Sequence, residues 1–180
     1  IKENLISKIE NFKTSNEFWI ALGRTTEWED EYNPPRTTGE ENSIEEVFAY
    51  IKSEVIIDAG SGVTDNSAFV VRDEENGWIK YKSRKYRTVP QVDIYEEKVS
   101  NVLLQVTLGE VTFPEVDSYR QAGVYLNLQP SPGYEDDVVL TPGNVSDVGT
   151  FYAISNFTKI VRTGDKADST RFIINFDDNI

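Results

Sequence analysis

The run that decides the fold lies near the start of the chain, at Phe18-Trp19-Ile20-Ala21-Leu22-Gly23-Arg24-Thr25-Thr26-Glu27-Trp28. Its first five residues are apolar and rich in aromatic side chains, which is typical of a buried strand. Gly23 and Arg24 then end the strand, and a polar stretch without periodicity continues to residue 42. Trp28 is the large apolar side chain of this stretch. We therefore expect a core strand followed by a long loop, with Trp28 buried in its own chain.

The rest of the chain, beyond about residue 55, has a β pattern. Val102, Leu104, Val106 and Leu108 alternate with their neighbours at the period of a strand. Many short strands separated by Gly, Pro, Asn and Asp predict a mainly β protein, a β-sandwich of short antiparallel strands. The candidate strands are residues 18–22, 55–57, 69–72, 78–82, 93–95, 99–108, 111–113, 123–128, 138–140, 150–154 and 172–176.

An N-terminal amphipathic helix is expected over residues 1–13. Leu5, Ile9 and Phe12 recur at helical spacing among charged residues. Residues 1–15 are therefore a possible docking helix, for the protein's own core or for a neighbour. The whole chain, 1–180, is expected to form a single domain.

One further short helix is expected at residues 43–53. Ser43 and Glu46 have the spacing of a capping box, in which each side chain bonds a free backbone N–H at the helix start. Ile44, Val47 and Ile51 follow at the spacing of one helical face.

Composition limits the possible functions. The chain has no His and no Cys, which removes a Ser-His-Asp triad, thiol nucleophiles and zinc-thiolate sites. The net charge of −13 disfavours nucleic acid and anionic membranes and favours protein partners with basic patches. That the charge only keeps the chain soluble is an equally good explanation. We expect no enzyme, no cofactor and no bound metal.

Three segments admit a more specific chemistry. The Gly-rich residues 58–65 lack the ligand spacing of an EF-hand, which favours an ordinary loop. Glu110 and Glu115 could act as paired carboxylates of a glycosidase, although a chain with 31 acidic residues always offers such a pair. Residues 78–87 interleave aromatic side chains with cations, a pattern also found in single-strand nucleic-acid binders. In so acidic a protein, an exposed strand face or a contact for an acidic neighbour is favoured.

Three blocks of the sequence resemble the baseplate wedge protein of contractile-tailed bacteriophages, the T-even-type subunit between wedge core and periphery, in a shortened form. The first block is the opening run with Glu31 and the pair Pro34-Pro35. The second contains Phe113-Pro114-Glu115 and residues 119–130. The third contains Tyr152 within residues 148–156, then Arg162 and residues 172–176. The three blocks follow the family's order and cover somewhat under half of the chain.

The resemblance implies a mostly β structural subunit that holds neighbouring wedge proteins in register during assembly and contraction. Its implied partners are other baseplate wedge proteins and a second copy of itself, in a pair. Its implied location is the virion's tail baseplate, assembled in the host cytoplasm. The alternative is a virion-associated carbohydrate-binding or carbohydrate-cleaving β-sandwich. The candidate structural and interface residues are Trp28, Glu31, Pro34, Pro35, Phe113, Pro114, Tyr152 and Arg162.

Overall fold

A computed structural model describes the backbone of residues 2–58, 63–110 and 112–175, and their side chains except at residues 2–6, 9, 57, 58 and 63–65. One helix and fourteen strands occur in these ranges. They are α1 (Lys2–Thr14), β1 (Phe18–Gly23), β2 (Ala49–Lys52), β3 (Ile56–Asp58), β4 (Val63–Asp65), β5 (Ala68–Arg72), β6 (Ile79–Tyr81), β7 (Arg84–Thr88), β8 (Asn101–Leu108), β9 (Ser118–Leu126), β10 (Gln129–Pro130), β11 (Val139–Leu140), β12 (Val145–Asp147), β13 (Thr150–Val161) and β14 (Asp168–Asn175). The predicted mainly β fold with antiparallel sheets is confirmed.

The chain divides into two compact units. Unit 1 comprises the described parts of Ile1–Asn16, Ser53–Gln105 and Thr170–Ile180, and unit 2 comprises Glu17–Lys52 and Val106–Ser169. The single domain and the sandwich packing expected from the sequence stay predictions.

Unit 2 is built on a five-stranded sheet with the strand order β11-β2-β1-β9-β13. The strand β1 lies at its centre and is buried at all six positions, as its apolar sequence predicts. It pairs antiparallel with β2 and β9, so that Trp19 lies opposite Lys52 on one side and Tyr125 on the other. Buried side chains from the sheet and its loops form the core, and each large one stabilises the fold by about 1.5–3 kcal/mol. They are Trp19, Ala21, Ile44, Tyr50, Tyr125, Leu128 and Leu140.

Unit 1 contains most of a second five-stranded sheet, with the order β14-β8-β5-β7-β6. The strand β6 is at one edge and pairs antiparallel with β7 through the register Ile79↔Tyr86 and Lys80↔Lys85. The inward-facing residues form the core of this unit, which consists of Ile56, Val70, Ile79, Tyr86 and Leu103.

The predicted helix at residues 43–53 is wrong. Residues 43–48 form a loop, and β2 follows. Glu46 has a φ of 49°, which no α-helix allows, and its carboxylate accepts hydrogen bonds from Thr26 instead of capping a helix start. Ala49–Lys52 pair with β1 instead, and the first three of these residues are buried there, so non-local pairing overrides the local pattern.

Two predicted strands, at residues 93–95 and 111–113, do not occur among the described residues. Gln91–Asp93 form a 3₁₀ turn directly after Pro90, and the N–H of Ile94 bonds to the carbonyl of Gln91. Thr112 and Phe113 lie in a bend, and Phe113 has a φ of 55°. Val111, the first residue of that predicted strand, lies outside the described residues.

The N-terminal segment is helical, as α1. Its amphipathic docking face is not confirmed, because the side chains of Leu5 and Ile9 lie outside those described. Residues 59–62 of the Gly-rich segment also lie outside the described residues. No helix in the described ranges is long and apolar enough to cross a membrane.

Candidate interface: the anchored loop

The long loop between β1 and β2, residues 24–48, is the most distinctive feature of unit 2, and we call it the interface loop. Arg24 fixes its start, with Nε 3.0 Å from the carbonyl of Thr26 and Nη2 3.0 Å from that of Glu27. The third arm of the guanidinium forms an ion pair with Glu45. Arg24 thereby links the start of the loop to Glu45 near its end.

Trp28 holds the near half of the interface loop against the sheet. Only 8% of its surface is exposed, so the predicted burial within its own chain is confirmed. The indole Nε1 donates to the carbonyl of Phe157 in β13 at 3.0 Å. The Arg24 guanidinium lies 4.4 Å from the ring centroid, in cation–π geometry.

The ion pair between Arg120 and Glu31 holds the middle of the interface loop. Arg120 lies in β9, and its side chain is 3% exposed. Its Nε and Nη2 both lie 2.7 Å from Oε1 of Glu31, and Nε lies 3.0 Å from Oε2. Its remaining nitrogen donates to the carbonyl of Thr25 at 2.8 Å. Glu31 also accepts the backbone N–H of Trp28 at 3.1 Å. The hydrogen bond from Arg120 lowers the pKa of Glu31, partly opposed by desolvation.

The far end of the loop rests on β9. The N–H of Ile44 donates to the Tyr125 hydroxyl at 3.1 Å, and that of Glu45 donates to the Gln121 side chain at 2.7 Å. Ile44 packs so closely over Gly123 that a Cβ there would lie 2.4 Å from its Cδ1. Glycine at position 123 is therefore a packing requirement of the loop.

The tip of the interface loop, residues 29–42, is mostly exposed. Tyr32 has 88% of its surface in solvent, Pro34 is half-buried and Pro35 is exposed. The carbonyl of Pro35 accepts the Asn156 side chain of β13 at 3.0 Å. The whole loop carries eight carboxylates and two arginines, a net charge of −6. The tip is thus an acidic surface with one exposed aromatic ring, held by side chains of the sheet.

A second loop between β8 and β9, described at residues 109, 110 and 112–117, is held by Arg162. The guanidinium donates to Asp168 at 3.0 Å and to three carbonyls of the loop, and its side chain is 5% exposed. Those carbonyls belong to Gly109, Thr112 and Phe113. Pro114 is exposed on this loop, as are Glu110 and Glu115. The Phe113 ring packs edge-on against Phe48 at the end of the interface loop.

The candidate residues from the sequence therefore fall into two groups. Trp28, Glu31 and Arg162 hold the protein's own loops, whereas Pro34, Pro35 and Pro114 lie wholly or partly in solvent. Tyr152 lies half-buried in β13 and Phe113 half-buried in the second loop. Their role in contacts with other proteins stays a prediction.

Sequence reasoning missed the residues that receive the loop. They are Arg120, Gln121, Gly123 and Asn156. Arg120 and Gln121 are polar residues inside an otherwise apolar strand, and both are buried. Buried polar side chains need hydrogen-bond partners, so polar residues in an apolar strand were the signal that the sequence offered. Among the described side chains, no cluster of three or more acidic residues is arranged to hold a metal ion.

These features define a class, that of a mainly β protein in which side chains of the sheet hold long connecting loops in place. The chain belongs to the family of the baseplate wedge 3 tail fiber network component, whose model matches residues 6–176. It is also 28% identical over 159 residues to Virion protein 3 of Enterococcus phage phiEF24C, covering 87% of this chain and 82% of that protein. The resemblance found in the sequence is confirmed, and the chain is a structural protein of a phage virion.

Proposed function

We propose that the protein is a subunit of the tail baseplate wedge that holds neighbouring wedge proteins in register during assembly and contraction. The observation that carries this proposal is the interface loop, which its own chain fixes at five places while most of its tip stays in solvent. A loop that is ordered before binding loses little conformational entropy when a partner covers it. The family match supports a place in the tail baseplate, and assembly in the host cytoplasm is part of the proposal.

The chemistry of the tip indicates the kind of partner. Tyr32 supplies an exposed aromatic ring, a side chain enriched among residues that dominate binding energy. The surrounding carboxylates favour a basic surface on the neighbouring protein and disfavour nucleic acid or anionic membrane. Pairing with a second copy of this chain, which the sequence resemblance implies, would require a contact away from the acidic tips, since two such surfaces repel each other.

Reconstitution with purified wedge proteins of the same phage tests this proposal. Tyr32→Ala is expected to weaken co-assembly by about 30-fold, the effect of losing a binding hot spot of about 2 kcal/mol. Pro34→Ala is expected to leave thermal unfolding of the isolated protein nearly unchanged and to weaken co-assembly, because a less restricted tip must be ordered on binding. Tyr134→Ala is the matched control, since Tyr134 is a partly exposed tyrosine of another loop in unit 2.

Salt dependence and catalysis provide two further checks. Co-assembly should weaken as the screening length falls from about 10 Å to about 3 Å, and salt-independent assembly would contradict the electrostatic part of the proposal. The candidate carboxylates of the carbohydrate alternative, Glu110 and Glu115, are both exposed on the second loop. Release of sugars from peptidoglycan or polysaccharide that stops on Glu110→Gln or Glu115→Gln would overturn the structural role.

A further inference from the structure

The hairpin formed by β6 and β7 carries a second charged surface, of the opposite sign. We call residues 78–85 the basic hairpin. Four cationic side chains lie within six consecutive residues, and all four are exposed, namely Lys80, Lys82, Arg84 and Lys85. Within the part of the chain that the structure describes, none of the four forms an ion pair, although the protein has 31 acidic residues. Unpaired cations concentrated in so acidic a protein call for an explanation.

Neighbouring cations show that pairing is available in this sheet. Arg87, four residues beyond the turn of the hairpin, bonds to both Asp73 and Glu97, at 2.9 and 2.6 Å. Glu74 lies near Lys85, yet its carboxylate is engaged with Arg72 at 2.6 Å. Lys82 lies over the ring of Tyr81, with its Nζ 5.3 Å from the ring centroid. All four cations of the basic hairpin are exposed and without an ion pair among the described residues, so they remain available to an external partner.

The basic hairpin is not optimised for its own stability. The turn residues Lys82 and Ser83 have φ values of 47° and 65°, a conformation for which hairpins prefer Asn-Gly. Lys80 and Lys85 lie directly opposite each other, and like charges in that position destabilise a strand pair. Local features that work against folding occur preferentially at functional sites.

An exposed aromatic side chain adds an apolar component to this surface. Trp78 precedes β6 and has 54% of its surface exposed. The side chains of Ile79 and Tyr86 point into the core of unit 1, so alternation along the strands directs Lys80 and Lys85 outward. A partner that matches this surface supplies carboxylates and at least one apolar side chain.

The backbone edge of β6 is already partly covered. Arg171 of β14 places Nη1 3.5 Å from the carbonyl of Lys80 and bonds Gln105 through Nε at 2.6 Å. A further strand could therefore not use this edge freely. The contact instead uses the side-chain face that carries Lys80 and Lys85.

We propose that the basic hairpin docks an acidic segment of a neighbouring protein, whose carboxylates pair with Lys80 and Lys85 and whose apolar side chain packs on Trp78. Without the four cations of the basic hairpin, the net charge of the chain falls from −13 to −17, so the rest of the chain repels a long phosphate polymer and only this patch attracts it. A short acidic peptide segment avoids that repulsion because it covers only the hairpin. This inference goes beyond the proposed function, since it concerns unit 1 and not the interface loop.

A labelled synthetic peptide is the probe, eight residues of alternating Glu and Val with one central Tyr and blocked ends. Binding to the full chain is measured by fluorescence anisotropy at low salt. The Lys80→Gln/Lys85→Gln variant is expected to bind at least tenfold more weakly, and so is the wild-type chain with the Glu→Gln form of the peptide. Arg36→Gln/Lys166→Gln is the matched control, because both cations are exposed in unit 2 and the change in net charge is the same.

Four results would overturn this inference. They are equal loss of binding in the control variant, equal binding of the Glu→Gln peptide, tighter binding of a ten-residue oligothymidine than of the acidic peptide, and hairpin-dependent self-association in sedimentation velocity without peptide. The last result would make a second copy of the chain the occupant. None of these measurements involves Tyr32 or Pro34, so the docking site and the proposed function fail separately.

Discussion

Removing the indole of Trp28 should cost more stability than any other single change in the interface loop. Trp28→Ala removes an indole side chain that can bury on the order of 200 Å². In the fold, only 8% of the surface of Trp28 is exposed. At about 25 cal/mol per Å², burial of that area contributes up to about 5 kcal/mol. The Nε1 bond to Phe157 and the stacked Arg24 guanidinium add about 1 kcal/mol each.

The expected loss is about 3–5 kcal/mol, because Ala keeps part of the burial and the loop can relax into the space. Urea unfolding followed by far-ultraviolet circular dichroism measures it, and an unchanged m value shows that the unfolded state is the same. Hydrogen exchange at residue 28 gives a local check, since its N–H bonds to Glu31 and should lose protection as the loop detaches.

Trp78→Ala is the matched control for this prediction. Trp78 is 54% exposed, so its removal should change the free energy of unfolding by less than about 1 kcal/mol. The loss for Trp28→Phe should lie between those for Trp28→Ala and Trp78→Ala, at about 1–2 kcal/mol, because an aromatic ring stays and the indole hydrogen bond is lost. A loss below 1 kcal/mol for Trp28→Ala would refute the view that this residue anchors the loop.

Three further predictions concern other contacts. Arg162→Met should destabilise the fold by about 3–5 kcal/mol in the same urea assay, because it leaves the mostly buried carboxylate of Asp168 and three loop carbonyls without their donor. A loss as small as that expected for an exposed lysine would contradict this prediction. The pKa of Glu31 is lowered in the fold, so its contribution to stability is present above about pH 4.5 and is lost as the pH falls through the folded pKa. Glu31→Gln should therefore make the melting temperature less sensitive to acid. An unchanged dependence of the melting temperature on acidic pH would count against the Arg120–Glu31 ion pair. Lys82→Asn/Ser83→Gly should stabilise the protein by about 1 kcal/mol, since Asn-Gly suits the turn; a lower melting temperature would show that the turn is not strained.

The sequence predicted the strands that are buried for most of their length. The run at residues 18–22 and the alternation at 102–108 correspond to β1 and β8 with small shifts at the ends. Prediction from the sequence failed where a local pattern competed with a contact to a residue far along the chain. The Ser43–Glu46 spacing indicated a helix cap, but Thr25 and Thr26, about twenty residues away, take the Glu46 carboxylate.

The candidate site was predicted only in part. Trp28 was identified from its size in a polar loop, and its burial follows from the hydrophobic effect alone. The residues that hold the loop from the other side could not be paired with it, because Arg120 lies 89 positions from Glu31 and no local rule joins them. The buried polar residues in β9 indicated that partners exist without indicating which ones.

The most direct test of the central claim is a high-resolution reconstruction of the assembled baseplate that resolves residues 24–48. We expect Trp28 to remain buried in its own chain and Tyr32 to be covered by a basic surface of a neighbouring wedge protein. A particle in which Tyr32 and Pro35 stay in solvent, or in which Trp28 leaves its place beside Phe157, would contradict the claim that this loop is a preformed contact.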